Sequence, residues 1–255
     1  MANVPTQFPM NIAYETYSRL ERHIEKMHSE TYKQWENKLK RYYKRIDADP
    51  SEEIEKEVEE LQAEFGIGLL LAIRIAKDMA DRTRAFAINQ VDNQIKTIVG
   101  VRPNLRRPTL NQARKIFVNE NVKNIQNIPK DYYNNVSRTI RQGAIKGKNI
   151  NEIRKGIASA KNKAKNHAKL LARDQVGNYF AKVTKKRQTQ AGIKHYIWAS
   201  VGDDRVRDNH AEWDGQRFSW KNGSPNGTHP GQEINCRCVA MPSEKEVKMV
   251  YGEGE

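Results

Sequence analysis

Residues 10–46 read MNIAYETYSRLERHIEKMHSETYKQWENKLKRYYKRI, and this stretch decides the fold class. Apolar and aromatic side chains recur at Ile12, Tyr17, Leu20, Ile24, Met27, Trp35, Leu39, Tyr42 and Ile46, mostly at steps of three and four. That spacing lines one face of an α-helix. No proline or glycine falls between Pro9 and Pro50, so the stretch predicts one amphipathic helix of roughly 35 residues, roughly 50 Å long at 1.5 Å per residue. Such a helix cannot bury its stripe alone. It must pack on another helix of this chain or of a neighbouring subunit.

Working outward, Asp47-Ala48-Asp49-Pro50-Ser51 is expected to end this helix, with Ser51 supplying the N-cap oxygen of a short acidic second one. Gly66 and Gly68 interrupt that helix, and a third is expected from about residue 69 to 99, with Gly100 as its stop. The proline-punctuated basic run from Arg102-Pro103 to Arg107-Pro108 reads as a subdomain boundary. Beyond it, Gly and Asn stops and Pro129 suggest separate helices over 110–121, 129–145 and 151–159, then a longer basic one from about 164 to 190. From Lys194 the character changes. Residues 195–200, 216–220 and 238–241 have strand-like enrichment in β-branched and aromatic side chains, separated by Gly/Asn/Pro-rich loops. The expected fold class is mainly α with a small α+β C-terminal module. Its expected divisions are an extended helical region over 1–100, a basic helical region over 101–192 and a loop-rich module over 193–255.

The 255 residues carry 45 Lys plus Arg against 31 Asp plus Glu, and the excess is concentrated. Formal charge is −2 over residues 1–100, +19 over 101–200 and −3 over 201–255. A segment so one-sided points to a polyanionic partner, and nucleic acid is the first candidate. No base-reading motif accompanies the charge, so contact is expected with the phosphate backbone of double-stranded DNA, independent of sequence. The residues expected to line that surface are Lys161, Lys163, Lys165, Lys169, Arg173, Lys182, Lys185, Lys186 and Arg187. The two cysteines, spaced C-x-C, exclude a disulfide framework. The longest apolar run, around residues 67–73, is far shorter than the ~20 residues a membrane-spanning helix needs. With no signal-peptide pattern at the N-terminus, a cytosolic site of synthesis is expected.

Chemistry is concentrated in the C-terminal module. His210, His229, Cys236 and Cys238 follow the spacing H-x18-H-x6-C-x-C, and these are the side chains zinc prefers in a tetrahedral site. The alternative leaves Cys236 and Cys238 as small buried hydrophobes and both histidines bonded to loop backbone. The run Asp203-Asp204-Arg205-Val206-Arg207-Asp208-Asn209-His210 likewise allows two readings. In one, Arg207, His210 and His229 serve a nuclease or toxin-like effector, with His210 as general base and an arginine as phosphate clamp. In the other, Arg207 ties carboxylates such as Asp203 and Asp214 around a turn. The second is preferred, and no enzymatic activity is expected.

Several motifs, in order, resemble the C-terminal domain of the Mu F-like phage minor head proteins. They are Leu171-Ala172-Arg173-Asp174-Gln175-Val176, Trp198-Ala199-Ser200, Asp204-Arg205-Val206-Arg207-Asp208-Asn209-His210, Asp214-Gly215, His229-Pro230-Gly231 and Asn235-Cys236-Arg237-Cys238, within about 125–242. Trp198, Asp204, Arg207, Asp214 and Gly215 stand at its structural positions. One departure is Asp174-Gln175 where the family commonly has Thr-Glu. The resemblance implies a minor capsid protein made in the host cytoplasm and built into the virion head in multiple copies. It further implies a place near the portal vertex, with portal protein, other head proteins and packaged DNA as partners and no membrane involved in assembly.

Overall fold

The computed structural model describes residues 6–42 and 49–252. Its helices are α1 (Met10–Tyr42), α2 (Ser51–Phe65), α3 (Leu69–Val99), α4 (Asn111–Ile145), α5 (Ile150–Gln190), α6 (Asp208–Glu212) and α7 (Glu244–Tyr251). Its strands are β1 (His195–Ala199), β2 (Arg217–Ser219) and β3 (Val239–Pro242). The chain is thus mainly helical with a small C-terminal sheet, as its patterning predicts. No helix among the described residues is long and apolar enough to cross a membrane.

Contacts gather the chain into two units, each built from separated stretches of sequence. The first comprises residues 1–13, 77–118 and 172–255, and the second residues 14–76 and 119–171.

In the second unit, the apolar stripe of α1 finds its partner within the chain. Leu20, Ile24, Met27 and Trp35 are buried. Thr31 Oγ1 donates to Tyr133 Oη at 3.3 Å, His28 Nδ1 lies 3.2 Å from Tyr132 Oη, and Glu36 accepts from Arg154 of α5 at 2.8 Å. The break ahead of α2 works differently from expectation. Asp49 Oδ1, not Ser51, accepts hydrogen bonds, from Ser51 N at 3.0 Å and Ser51 Oγ at 2.6 Å. Asp47 and Ala48 lie outside the described residues.

Two expected breaks are absent. Pro129 sits inside α4, and 150–190 is one helix, not two. A helix-interior proline costs about 3 kcal/mol, which the fully buried Ile125, Ile128, Tyr132, Tyr133 and Val136 around it offset. Gly156 is a point of close approach between helices: a Cβ there would meet Thr139 Cγ2 at 2.4 Å. Along α5, the buried small residues Ala160, Ala164 and Ala168 continue the stripe started by Ile153 and Ile157.

In the first unit, Phe117 stacks on Tyr179 at 4.4 Å between ring centres, and Phe86 packs on Phe180 at 5.9 Å. Val91, Ile95, Ala191, Ile193 and Val247 form a cluster that fixes α3, the end of α5 and α7 together. The sheet has the order β2-β1-β3, antiparallel throughout, with Tyr196 opposite Phe218 on one side and Pro242 on the other. Gln188, fully buried, joins α5 to this sheet. Its Nε2 donates to Ala240 O at 2.9 Å, and its Oε1 accepts from Trp220 Nε1 at 3.0 Å.

Candidate functional site

Alternation along β1 turns Tyr196 and Trp198 inward, and both are fully buried. With Trp213, Trp220, Cys236, Cys238 and Ala240 they make the core of the C-terminal module. The Asp214-Gly215 turn brings the chain back beside β1. Asp214 Oδ1 accepts from Ser200 N at 2.6 Å, Gly215 N donates to Trp198 O at 2.8 Å, and Gly215 takes a φ of +76° that favours glycine. Trp198 packs edge-on against His210 and Trp213, with ring centres 5.0 and 4.9 Å away.

Three of the four soft side chains singled out in the sequence converge. His210 is carried inward by α6, and Cys236 and Cys238 by the loop just before β3. Their ligand atoms lie within 4.8 Å of one another. His210 Nδ1 is 3.7 Å from Cys236 Sγ and 3.6 Å from Cys238 Sγ. Because both cysteines precede the extended strand, their side chains share one side. Arg237 between them turns away and pairs with both Asp203 oxygens at 2.6 Å. The loop bends through Gly231 (φ +81°) and Asn235 (φ +63°), and asparagine is among the few side chains that tolerate this region. Asp174 Oδ1 accepts from Asn235 N at 2.7 Å, and Arg173 donates to Asn235 Oδ1. The residue that departs from the Thr-Glu pattern therefore anchors the cysteine loop.

His229 does not join the cluster, which corrects the four-ligand reading. Its Nε2 is 3.1 Å from Lys185 Nζ and its Nδ1 3.0 Å from Tyr196 Oη. An ammonium only donates, so Nε2 accepts and Nδ1 carries the proton. Burial, with help from the Lys185 charge, pushes the His229 pKa down to about 4. The Cys236 thiol is pushed down by the hydrogen bond with Cys238 and by N–H groups of Gly231 and Cys238, while Cys238 is pushed up by sharing that bond.

Arg207 binds neither Asp203 nor Asp214: it donates to Ile234 O at 2.8 Å and lies 3.4 Å from Glu233. Glu233 Oε2 is also 3.3 Å from His210 Nε2. Glu233 thus joins Arg207 to His210, while His229 serves Tyr196 and Lys185. Sequence reading passed over Glu233, whose only signal was its place three residues before Cys236. Asp204 is exposed.

The basic residues of α5 divide in three. Lys163, Lys169, Lys182 and Lys186 are exposed. Lys161, Lys165, Arg173 and Lys185 are half-buried and already engaged. Lys165 sits 2.6 Å from Glu21 and 3.0 Å from Glu25, Lys161 3.5 Å from Glu25, and Lys185 lies over the Trp220 ring. Arg187 corrects its expected place on an exposed surface. It is 2% exposed and paired with Asp92 at 2.7 and 2.8 Å, with Nη1 donating to Arg106 O at 3.0 Å.

Comparison with known proteins places this geometry in context. Residues 134–241 match the family model described as Phage Mu protein F like protein. Over 135 residues, 53% of the chain, it is 32% identical to an uncharacterized protein of Haemophilus influenzae strain Rd, and the match spans 30% of that protein's length. No solved structure matches.

Proposed function

Because residues 134–241 match the model described as Phage Mu protein F like protein, we propose that this protein is a phage minor head protein, built into the head during assembly in the host cytoplasm and seated near the portal. In this role it contacts portal protein and the packaged DNA, the latter through its backbone alone. The family match carries the reading. The charge of +19 over residues 101–200 supports the DNA contact, since each neutralised phosphate releases condensed counterions. With Arg187 buried and Lys161 and Lys165 paired to carboxylates, the contact falls to Lys163, Lys169, Lys182 and Lys186 of α5. Lys182 and Lys186 are four residues apart and share a helix face.

The test is the salt dependence of binding to random-sequence duplex. Replacing all four lysines by glutamine reduces the slope of log K against log salt by about 3.6 if each meets one phosphate, at about 0.9 per contact. An unchanged slope refutes the assignment. Co-sedimentation of the full chain with purified portal rings tests the second contact, and its absence under assembly conditions contradicts it.

A further inference from the structure

We propose that His210 Nδ1, Cys236 Sγ and Cys238 Sγ hold a structural zinc ion, with Glu233 as the carboxylate that orients the imidazole. The spacing is that of a ligand set around a metal. For Zn–S of ~2.3 Å and Zn–N of ~2.05 Å at the tetrahedral angle, sulfur and nitrogen ligands sit ~3.6 Å apart. The two separations here are 3.6 and 3.7 Å. Those distances are long for a hydrogen bond that would itself justify burying three polar side chains, 2%, 7% and 3% exposed, beneath a tryptophan-rich core.

The surroundings suit the same ion. His210 Nε2 makes no aligned hydrogen bond, yet Glu233 Oε2 lies 3.3 Å from it. With the Nε2 proton facing that carboxylate, Nδ1 is left as a lone pair aimed at the two sulfurs. This is the carboxylate–histidine–metal arrangement that fixes tautomer and ring orientation around zinc. Arg207, 3.4 Å from Glu233, holds the carboxylate in turn. Gly231 N donates to Cys236 Sγ at 3.3 Å, a bond that stabilises a thiolate. With three protein ligands, the fourth tetrahedral position falls to a single non-protein ligand such as a bound water. An ion there ties α6 to the start of β3, joining the two ends of a loop-rich module whose sheet has only three short strands.

The experiment uses the full chain, purified from zinc-supplemented culture, with elemental analysis followed by titration of the chelator-stripped protein with cobalt(II). Stoichiometric zinc is expected, together with a tetrahedral cobalt spectrum bearing a thiolate-to-metal charge-transfer band. Cys236→Ser, Cys238→Ser and His210→Ala each lose the metal, whereas His229→Ala keeps it. Glu233→Gln keeps the site but weakens it, as outer-shell losses do, by roughly 10–100-fold. The cobalt titration of the unaltered chain needs no variant and stands even if a substituted protein fails to fold. Absence of both zinc and the charge-transfer band overturns the proposal, and so does metal retained when both cysteines are replaced.

Discussion

Arg187→Ala separates a structural arginine from a DNA-facing one. The guanidinium is buried, holds both oxygens of an Asp92 whose side chain is 16% exposed, and reaches Arg106 O. Truncation leaves that carboxylate without its counterion. Breaking a buried pair from one side costs 3–5 kcal/mol, and the partial exposure of Asp92 sets the expectation at the low end, about 3 kcal/mol. Arg187→Lys keeps the charge but loses the two-pronged geometry, for about 1–2 kcal/mol. Lys182→Ala and Lys186→Ala, exposed on the same helix, stay within about 0.5 kcal/mol. Urea denaturation followed by circular dichroism reads all four. A stability for Arg187→Ala within 0.5 kcal/mol of the parent, or a reduced DNA salt slope with unchanged stability, refutes the reasoning.

Stability also responds to pH through His229. Its folded pKa, about 4, lies below the unfolded value of 6.5, so between those values the unfolded chain binds a proton that the folded chain excludes. Stability therefore falls as pH drops from 6.5 towards 4 and levels off below. From pH 7.5 to 5.0 the parent loses up to about 2 kcal/mol more than His229→Gln, and equal losses in the two proteins argue against a buried neutral imidazole. Gly156→Ala brings a Cβ to 2.4 Å from Thr139 Cγ2 and destabilises by about 1–3 kcal/mol despite alanine's better helix propensity. Thr139→Ser, which removes the methyl, restores most of that loss, and a Gly156→Ala chain as stable as the parent shows that the helices do not meet there.

Sequence periodicity foretold α1 because nothing between Pro9 and Pro50 conflicts with it: the stripe, the absence of breakers and the burial all agree. Around α4 and α5 local signals and tertiary packing disagree. Pro129 reads as the start of a new helix and residues 160–163 as a gap, but Pro129 lies among buried isoleucines and tyrosines and Ala160 and Ala164 are buried along an unbroken α5, and neither circumstance is visible along the chain. The three strands were legible from their β-branched and aromatic content. At the histidine–cysteine cluster, residue type picked out His210, Cys236 and Cys238, yet could not separate them from His229, because the distinction depends on Lys185 and Tyr196 being brought to that imidazole. The basic surface was the least legible. Lysines and arginines of one helix look alike in sequence, and only the fold shows which meet Glu21, Glu25 or Asp92.

The central proposal, a phage head component similar to the Mu protein F-like proteins, is tested most directly by quantitative mass spectrometry of purified, DNA-filled heads induced from the genome that carries this chain. The account predicts the protein in those particles at a fixed ratio to portal, retained after nuclease treatment and gradient sedimentation. Heads that assemble, package DNA and contain none of it at any stage, including the precursor particle, contradict the account.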